Sequence, residues 1–206
     1  VRFFTYLSTL HYVMEACAEN SIPVIILDRP NPNLHYLDGP VMEESYTSFL
    51  GMHPVPIVYG MTIGEYAQMI NGERWLKSGV RCKLRVIPVE NYNRKSTYEL
   101  SVRPSPNLPN PQSIALYPSL CLLEPTVISV GRGTDFQFQI YGHPKLPKSD
   151  FTFTPLPNFG AKNPKLKDHL CYGKNLTQDI RPNKLELKWL LDAYNNFPKS
   201  NIFFLK

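Results

Sequence analysis

The sequence predicts an α/β chain in which residues 1–51 are the end of a parallel-sheet domain and residues 52–206 form a mixed α/β domain of α+β character. Three observations predict it. A helix-spaced set of apolar residues is followed at once by a continuous apolar run that closes on a carboxylate, the order of a helix feeding a buried parallel strand. The composition shifts near residue 52, after a proline-rich stretch. The second half then carries short alternating segments that read as antiparallel strands, with helical segments between them.

Each element follows from its own residues. Phe4, Leu7, Leu10, Met14 and Ala18 recur at steps of three and four, so a helix is expected to about Asn20. Pro23-Val24-Ile25-Ile26-Leu27-Asp28 reads as a buried strand that ends at the loop Arg29-Pro30-Asn31-Pro32. Pro30, Pro32, Pro40, Pro54 and Pro56 deny continuous helix to residues 29–56 and predict a long ordered loop. Thr62-Ile63-Gly64-Glu65 is a capping box, in which hydroxyl and carboxylate satisfy amides that a helix start leaves unpaired; it opens a helix to about Asn71 that Gly72 ends.

Leu84 and Val86 alternate with polar neighbours across residues 83–89 and predict a strand. Asn110-Pro111 supplies an N-cap and a first-turn proline for a helix to about Leu123, which Pro118 must kink or divide. Phe136, Phe138 and Ile140 alternate with Gln137, Gln139 and Tyr141 as a half-exposed strand. Phe151-Thr152-Phe153-Thr154 reads as a second, antiparallel to it, and residues 170–176 as a third. Asn183-Lys184-Leu185-Glu186 is another capping box, opening a helix with Leu187, Leu190, Leu191 and Tyr194 that Pro198 ends.

Composition narrows the function classes. With 43% hydrophobic and 12% aromatic residues the chain has ample material for a packed core. The 22 Lys+Arg against 17 Asp+Glu give a formal +5, which suits an anionic ligand, yet no basic run of the kind that grips nucleic acid occurs. Cys17, Cys82, Cys121 and Cys171 are scattered without a CxxC pair, and the five histidines are isolated, so buried free thiols and no metal are expected. No apolar run approaches the roughly 20 residues that span a bilayer. The chain opens without Met or an export pattern and closes on the apolar Ile202-Phe203-Phe204-Leu205, so it is expected to be part of a larger protein, incomplete at its C-terminus, with that run buried.

Several segments carry chemistry. Asp28-Arg29-Pro30-Asn31-Pro32 follows a buried strand, and ligands of open α/β sheets gather outside the carboxyl ends of strands; structural pairing and a proline-fixed turn explain the same residues equally well. In Pro104-Ser105-Pro106-Asn107-Leu108-Pro109-Asn110-Pro111 alternate prolines pre-set an extended backbone and leave Ser105 and Asn107 as hydrogen-bonding groups, although a plain linker has the same composition. Gly131-Arg132-Gly133-Thr134 sets one arginine between glycines that permit positive φ, either an anion-binding loop or a tight turn. Glu124, before Pro125, is a candidate general acid or base. GxSxG, HExxH, CxxC and the dinucleotide glycine fingerprint are all missing, against serine hydrolases, zinc proteases and nicotinamide enzymes.

These segments form an ordered series: residues 1–10 (Val-Arg-Phe-Phe-Thr-Tyr-Leu-Ser-Thr-Leu), Asp28-Arg29-Pro30-Asn31-Pro32, Gly39-Pro40-Val41, Pro54-Val55-Pro56 with residues 60–65, Pro104-Ser105-Pro106-Asn107, Tyr117-Pro118 and Gly131-Arg132-Gly133-Thr134. The series resembles that of the NamZ-type exo-β-N-acetylmuramidases, long a family of unknown function, over nearly the whole chain. The resemblance implies a Rossmann-like domain joined to a C-terminal α/β domain, with the sugar bound between them. It implies an exo-acting glycosidase of bacterial cell-wall turnover and recycling, which removes N-acetylmuramic acid from the non-reducing ends of peptidoglycan fragments without metal or organic cofactor, in the periplasm or outside the cell. The family's Gly-Pro-Glu-His-Gly-like motif, whose Glu is its expected catalytic acid, has no match here.

On that resemblance Asp28 and Glu124 are the candidate supporting carboxylates, since glycoside hydrolysis uses a pair of them. Arg29 or Arg132 is expected to recognise the lactyl carboxylate that sets muramic acid apart from N-acetylglucosamine. Tyr6, Asn31, Ser105 and Asn107 are expected to orient the sugar. Two rival readings predict different outcomes: a non-catalytic peptidoglycan-binding module binds glycan without cleaving it, and an assembly domain exposes a broad apolar patch instead of a sugar-sized cleft. Nothing in the sequence sets an oligomeric state.

Overall fold

The computed structural model describes residues 1–200 and 202–205. The chain divides into two compact units, Val1–Tyr98 and Glu99–Lys206. The division therefore falls well beyond residue 52, and the composition shift there marks a loop inside the first unit. Val55, Tyr66, Ala67 and Ile70 share one core with Leu7, Met14, Val24 and Ile26, so no boundary separates residues 1–51 from the remainder of that unit.

In the first unit the predicted helix is α1 (Tyr6–Glu19), and β1 (Val24–Leu27) follows it. The capping box at Thr62 opens α2 (Ile63–Gly72), and the chain then returns as β2 (Leu84–Ile87). β1 and β2 pair in parallel, Val24 opposite Leu84 and Leu27 opposite Ile87, across the α2 crossover. The strand expected to be buried is covered on one face only. Val24 and Ile26 face the helices, whereas Ile25 is 62% and Leu27 71% exposed.

The long loop before α2 is ordered, as its prolines predict, and a buried arginine holds it. The Arg2 amide donates to Ile57 O at 2.9 Å, and its guanidinium donates to Val55 O at 2.6 Å and Pro40 O at 3.1 Å. Beside it a buried chain of side chains ties α1, the loop and α2 together. His11 Nδ1 lies 2.9 Å from His53 Nε2, and His53 Nδ1 lies 3.1 Å from the Tyr66 hydroxyl. Burial, then the neighbouring His11, pulls His53 down to about 4.

The second unit opens with α3 (Pro111–Leu120), capped reciprocally by Asn110 and Ser113. Pro118 does not divide it: the α-helix runs through to Leu120 and tightens into a 3-10 turn over Cys121–Leu123, because the proline falls in the last turn. β3 (Ile140–His143), β4 (Thr152–Phe153) and β5 (Cys171–Asn175) form an antiparallel sheet in the order β3-β5-β4, with Ile140 opposite Asn175 and Phe153 opposite Cys171. Gly142 and Gly173 face one another in this ladder, and a Cβ on Gly173 would meet Tyr141 O at 1.8 Å, so the strands close only around glycine.

Three expectations fail here, each for a local reason. The strand through Phe136 and Phe138 is a turn: Phe138 takes φ 54°, its amide donates to Val130 O at 2.8 Å, and β3 starts only at Ile140. The capping box at Asn183 does not form; α4 (Lys188–Asn196) begins five residues later without a side-chain cap, and Glu186 pairs with Lys184 and Lys188 instead. Of the apolar run 202–205 only Phe203 is buried, between the rings of Tyr194 and Phe197. The four cysteines are unpaired, three of them buried, and burial pushes the Cys171 thiol up to about 12. Among the described residues no helix is long and apolar enough to cross a membrane.

His143 in β3 is also held down to about 4, by burial first and then by Lys145, His169 and Lys165. Both histidines are therefore neutral in the fold at pH values where an unfolded chain binds a proton. Stability is expected to be full above about pH 6.5 and to fall as pH drops toward 4, by on the order of 2 kcal/mol per histidine. Urea titrations at stepped pH check this; a His143→Gln variant should lose the share of the pH dependence that His143 contributes.

Candidate functional site

The candidate residues lie in two sets: Tyr6, Asp28, Arg29 and Asn31 belong to the first unit, and Ser105, Asn107, Glu124 and Arg132 to the second. In the first set Asp28 stands at the carboxyl end of β1, where its carboxylate is fully engaged. Oδ2 accepts from Thr62 Oγ1 at 2.6 Å, and Oδ1 accepts from the amides of Gly64 at 2.7 Å and Arg29 at 2.9 Å. Thr62 is itself the N-cap of α2, so Asp28 fastens the strand end to the helix start. Glycine is required at 64, since a Cβ there would lie 2.7 Å from Asp28 Cγ. The geometry gives Asp28 a capping role, with three donors on its two oxygens.

Asn31 is also occupied by its own loop. Its Nδ2 donates to Met61 O at 2.8 Å, its Oδ1 accepts from Asn33 N at 3.0 Å, and its carbonyl accepts from the Tyr92 hydroxyl at 2.7 Å. Arg29 is exposed beside it. Tyr6 is 63% exposed at the start of α1 and meets the Phe4 ring edge-on.

The second set lies in segments that adjoin a groove, although none of its four residues lines it. Asn107 is buried, donates from Nδ2 to Gly160 O at 2.8 Å, and receives its position from Ser105, whose hydroxyl accepts the Asn107 amide at 3.2 Å. The loop 131–134 touches the same wall: Gly133 O accepts from Leu156 N at 2.8 Å, and Thr134 O accepts from Asn158 Nδ2 at 3.4 Å. Both proline-rich and glycine-rich segments thus converge on residues 156–160. An open groove of about 570 Å³ runs along them, lined by Arg103, Pro106, Gln137, Asn158, Phe159 and Gly160 among others.

Arg132 supports this wall from behind. Its Nε and Nη2 donate to the two Glu124 carboxylate oxygens at 2.8 and 3.0 Å, and its guanidinium lies 5.0 Å from the Phe138 ring centre. Lys165, whose ammonium burial holds below its ordinary value, donates to Glu124 O at 3.0 Å, to Thr126 O and to Ile128 O at 3.1 Å. Glu124 and Arg132 are a fixed pair that shapes the groove; the guanidinium fork expected to recognise a carboxylate ligand already holds one of the chain's own.

Sequence reasoning misses Arg103, Gln137 and the turn at Asn158. Alternation places Gln137 on the outer face of a strand, and that segment is a turn. Asn158-Phe159-Gly160 carries the usual turn signal of Asn and Gly, the one mark in the sequence that points to this wall. Among the described residues no group of three or more His, Cys, Asp or Glu side chains is arranged to hold a metal ion.

Two adjoining family models cover this fold. Residues 1–112 match the model described as exo-beta-N-acetylmuramidase NamZ, N-terminal, and residues 115–205 match its C-terminal counterpart. The chain belongs to the NamZ exo-β-N-acetylmuramidase family. It is 38% identical over 191 residues to the peptidoglycan beta-N-acetylmuramidase NamZ of Bacillus subtilis (strain 168), covering 85% of this chain and 45% of that protein. Two crystal structures of DUF1343 family proteins from Bacteroides fragilis NCTC 9343 are similar. One, 47% identical, covers all of this chain and 59% of its own with a TM-score of 0.95. The other, 28% identical, covers 97% and 59% with a TM-score of 0.76. The chain thus spans about half the length of the curated relative it matches.

Each unit holds one of the two tryptophans, Trp75 and Trp189, so single-tryptophan variants report unfolding unit by unit. Asp28→Ala is expected to lower the stability of the unit containing Trp75 by about 1–2 kcal/mol, through the lost helix cap. Arg132→Lys keeps the charge but loses the two-bond fork, and is expected to lower the stability reported by Trp189 by about 1 kcal/mol. Fluorescence-monitored urea unfolding checks both.

Proposed function

We propose that this chain is the substrate-binding part of an exo-acting glycoside hydrolase that removes N-acetylmuramic acid from the non-reducing ends of peptidoglycan fragments. The match of two consecutive NamZ family models along the chain carries the reading. In the second unit, a groove walled by rigid turns and lined by amide and aromatic side chains suits an acetylated sugar. We further propose that the first unit is the end of a Rossmann-like domain, which the parallel pairing of β1 and β2 across α2 supports. The substrate's location makes the periplasm or cell exterior the proposed site of action, in cell-wall turnover and recycling.

One observation favours the alternative of a non-catalytic peptidoglycan-binding module. Cleavage of a glycosidic bond uses two carboxyl groups flanking the bond, and here Asp28 is engaged as a helix cap and Glu124 by Arg132. We therefore assign Ser105 and Asn107 to shaping the binding wall, Glu124 and Arg132 to supporting it, and Asn31 to holding its own loop; Tyr6 is kept as a sugar-orienting candidate and Arg29 as a carboxylate-recognising candidate of the first unit.

Release of N-acetylmuramic acid from a synthetic muramic-acid glycoside separates the two readings, with the matching N-acetylglucosamine glycoside as control. The polypeptide as its source cell makes it is expected to release muramic acid only. Glycan binding with no release from either glycoside would establish the binding module instead.

A further inference from the structure

The groove of the second unit holds three features that the family's motif series does not account for. The first is a pair of buried amide oxygens. Gln137 is only 9% exposed and Asn107 only 5%, and among the described residues neither Gln137 Oε1 nor Asn107 Oδ1 has a hydrogen-bond partner. A buried acceptor left unmade costs on the order of 1–3 kcal/mol; of the two residues only Gln137 lines the groove, so it is the Gln137 amide that a donor from a ligand can satisfy. The last torsion of a glutamine side chain is soft, and its rotation turns either end of the Gln137 amide toward the groove.

The second feature is an aromatic ring held out in solvent. Phe159 is 86% exposed, against the trend for its size, at the tip of a hydrogen-bonded turn. Asn158 Oδ1 accepts from Gly160 N at 3.1 Å and Ala161 N at 2.9 Å, and the Asn158 amide donates to Ala161 O at 3.0 Å. An exposed ring at the lip of a groove, with the Lys162 ammonium 6.0 Å from its centre, is a platform for the apolar face of a sugar.

The third is the cation. Arg132 is committed to Glu124, Arg94 to Glu65 and Gly60, and Arg2 to the loop it clamps. Arg103 lines the groove, is exposed, and has no ion-pair partner among the described residues. Its planar fork is open to a carboxylate.

We propose that Arg103 is the residue that recognises the acidic substituent of the bound sugar, with Phe159 stacking on the ring and Gln137 accepting from a hydroxyl or acetamido N–H. The inference rests on the muramic-acid reading above and moves acid selectivity from Arg29 or Arg132 to Arg103. It defines the ligand by chemistry: an N-acetylated sugar carrying a carboxylate, bound in the second unit.

Titration with free N-acetylmuramic acid and, separately, N-acetylglucosamine, followed by amide NMR shifts, tests it. N-acetylmuramic acid is expected to shift the amides of residues 101–106 and 158–161 and to bind more tightly than N-acetylglucosamine. Arg103→Ala should weaken the acidic sugar by about tenfold and leave the neutral sugar within about twofold, erasing the preference. Phe159→Ala should weaken both together. Both positions are exposed, so the variants are expected to fold, and the Trp189 unfolding transition verifies it. A preference that survives Arg103→Ala, or shifts confined to other residues, overturns the inference. If the source polypeptide still releases muramic acid in that case, the site assignment alone has failed. If it neither releases nor binds muramic acid, the functional reading has failed with it.

Discussion

The second unit depends on one ion pair, the two-bond fork between Arg132 and Glu124 at 2.8 and 3.0 Å. It joins the end of the helix–turn segment 111–124 to the glycine-flanked loop 131–134, and so fixes where that loop leaves its two carbonyls. Those carbonyls, of Gly133 and Thr134, hold Leu156 and Asn158, which form the groove wall. Lys165 secures the other side of the same segment, donating its three N–H groups to three backbone carbonyls of residues 124–128. A half-buried ammonium is stabilised when its donors are satisfied in this way. The Arg132 guanidinium also lies over Phe138, which with its positive φ follows Gln137 in the turn closed by Gln139 N and Phe136 O. Loss of the fork removes the tie between the segment 111–124 and the loop 131–134.

The first unit uses a carboxylate for the same purpose by a different route. Asp28 joins the end of β1 to the first turn of α2, where unpaired amides and the helix dipole favour negative charge. The buried histidine chain then joins α1 to the loop and to α2 through neutral rings. Neutrality is essential to that arrangement, because a proton on His53 would bring an unpaired charge into the core. In both units, then, polar groups that could do chemistry are occupied in holding loops to helices.

The sequence makes some of this legible and hides the rest for physical reasons. α1, β1, α2, β2 and α3 are readable because apolar spacing, a capping box and an N-cap followed by proline are local signals that tertiary contacts reinforce. The box at Asn183 has the same pattern as the one at Thr62, but Glu186 finds Lys184 and Lys188, and no helix starts there. The alternation at 136–140 misleads because a turn stabilised by the Val130 carbonyl breaks the period at Phe138, which no count of alternation reveals. The boundary near residue 52 is a compositional signal of loop, while the core that spans it depends on contacts distant in sequence.

The candidate site shows the deeper reason why reading residues by type has a limit. Arg132 and Arg103 are both arginines beside glycine- or proline-rich loops, and Arg132 has the more suggestive setting. The difference between them is whether a carboxylate of the chain already fills the fork, and that depends on Glu124 lying eight residues away on the far side of a turn. The same distinction applies to the carboxylates: Asp28 is defined by its three donors and Glu124 by its arginine, neither of which spacing discloses. A recognition residue is one whose bonding capacity the fold leaves open. By that measure the proposed chemistry of the groove belongs to Arg103 and Gln137 Oε1, neither of which has a partner among the described residues, and to the exposed Phe159, and the motif residues around them supply the frame that keeps those groups open.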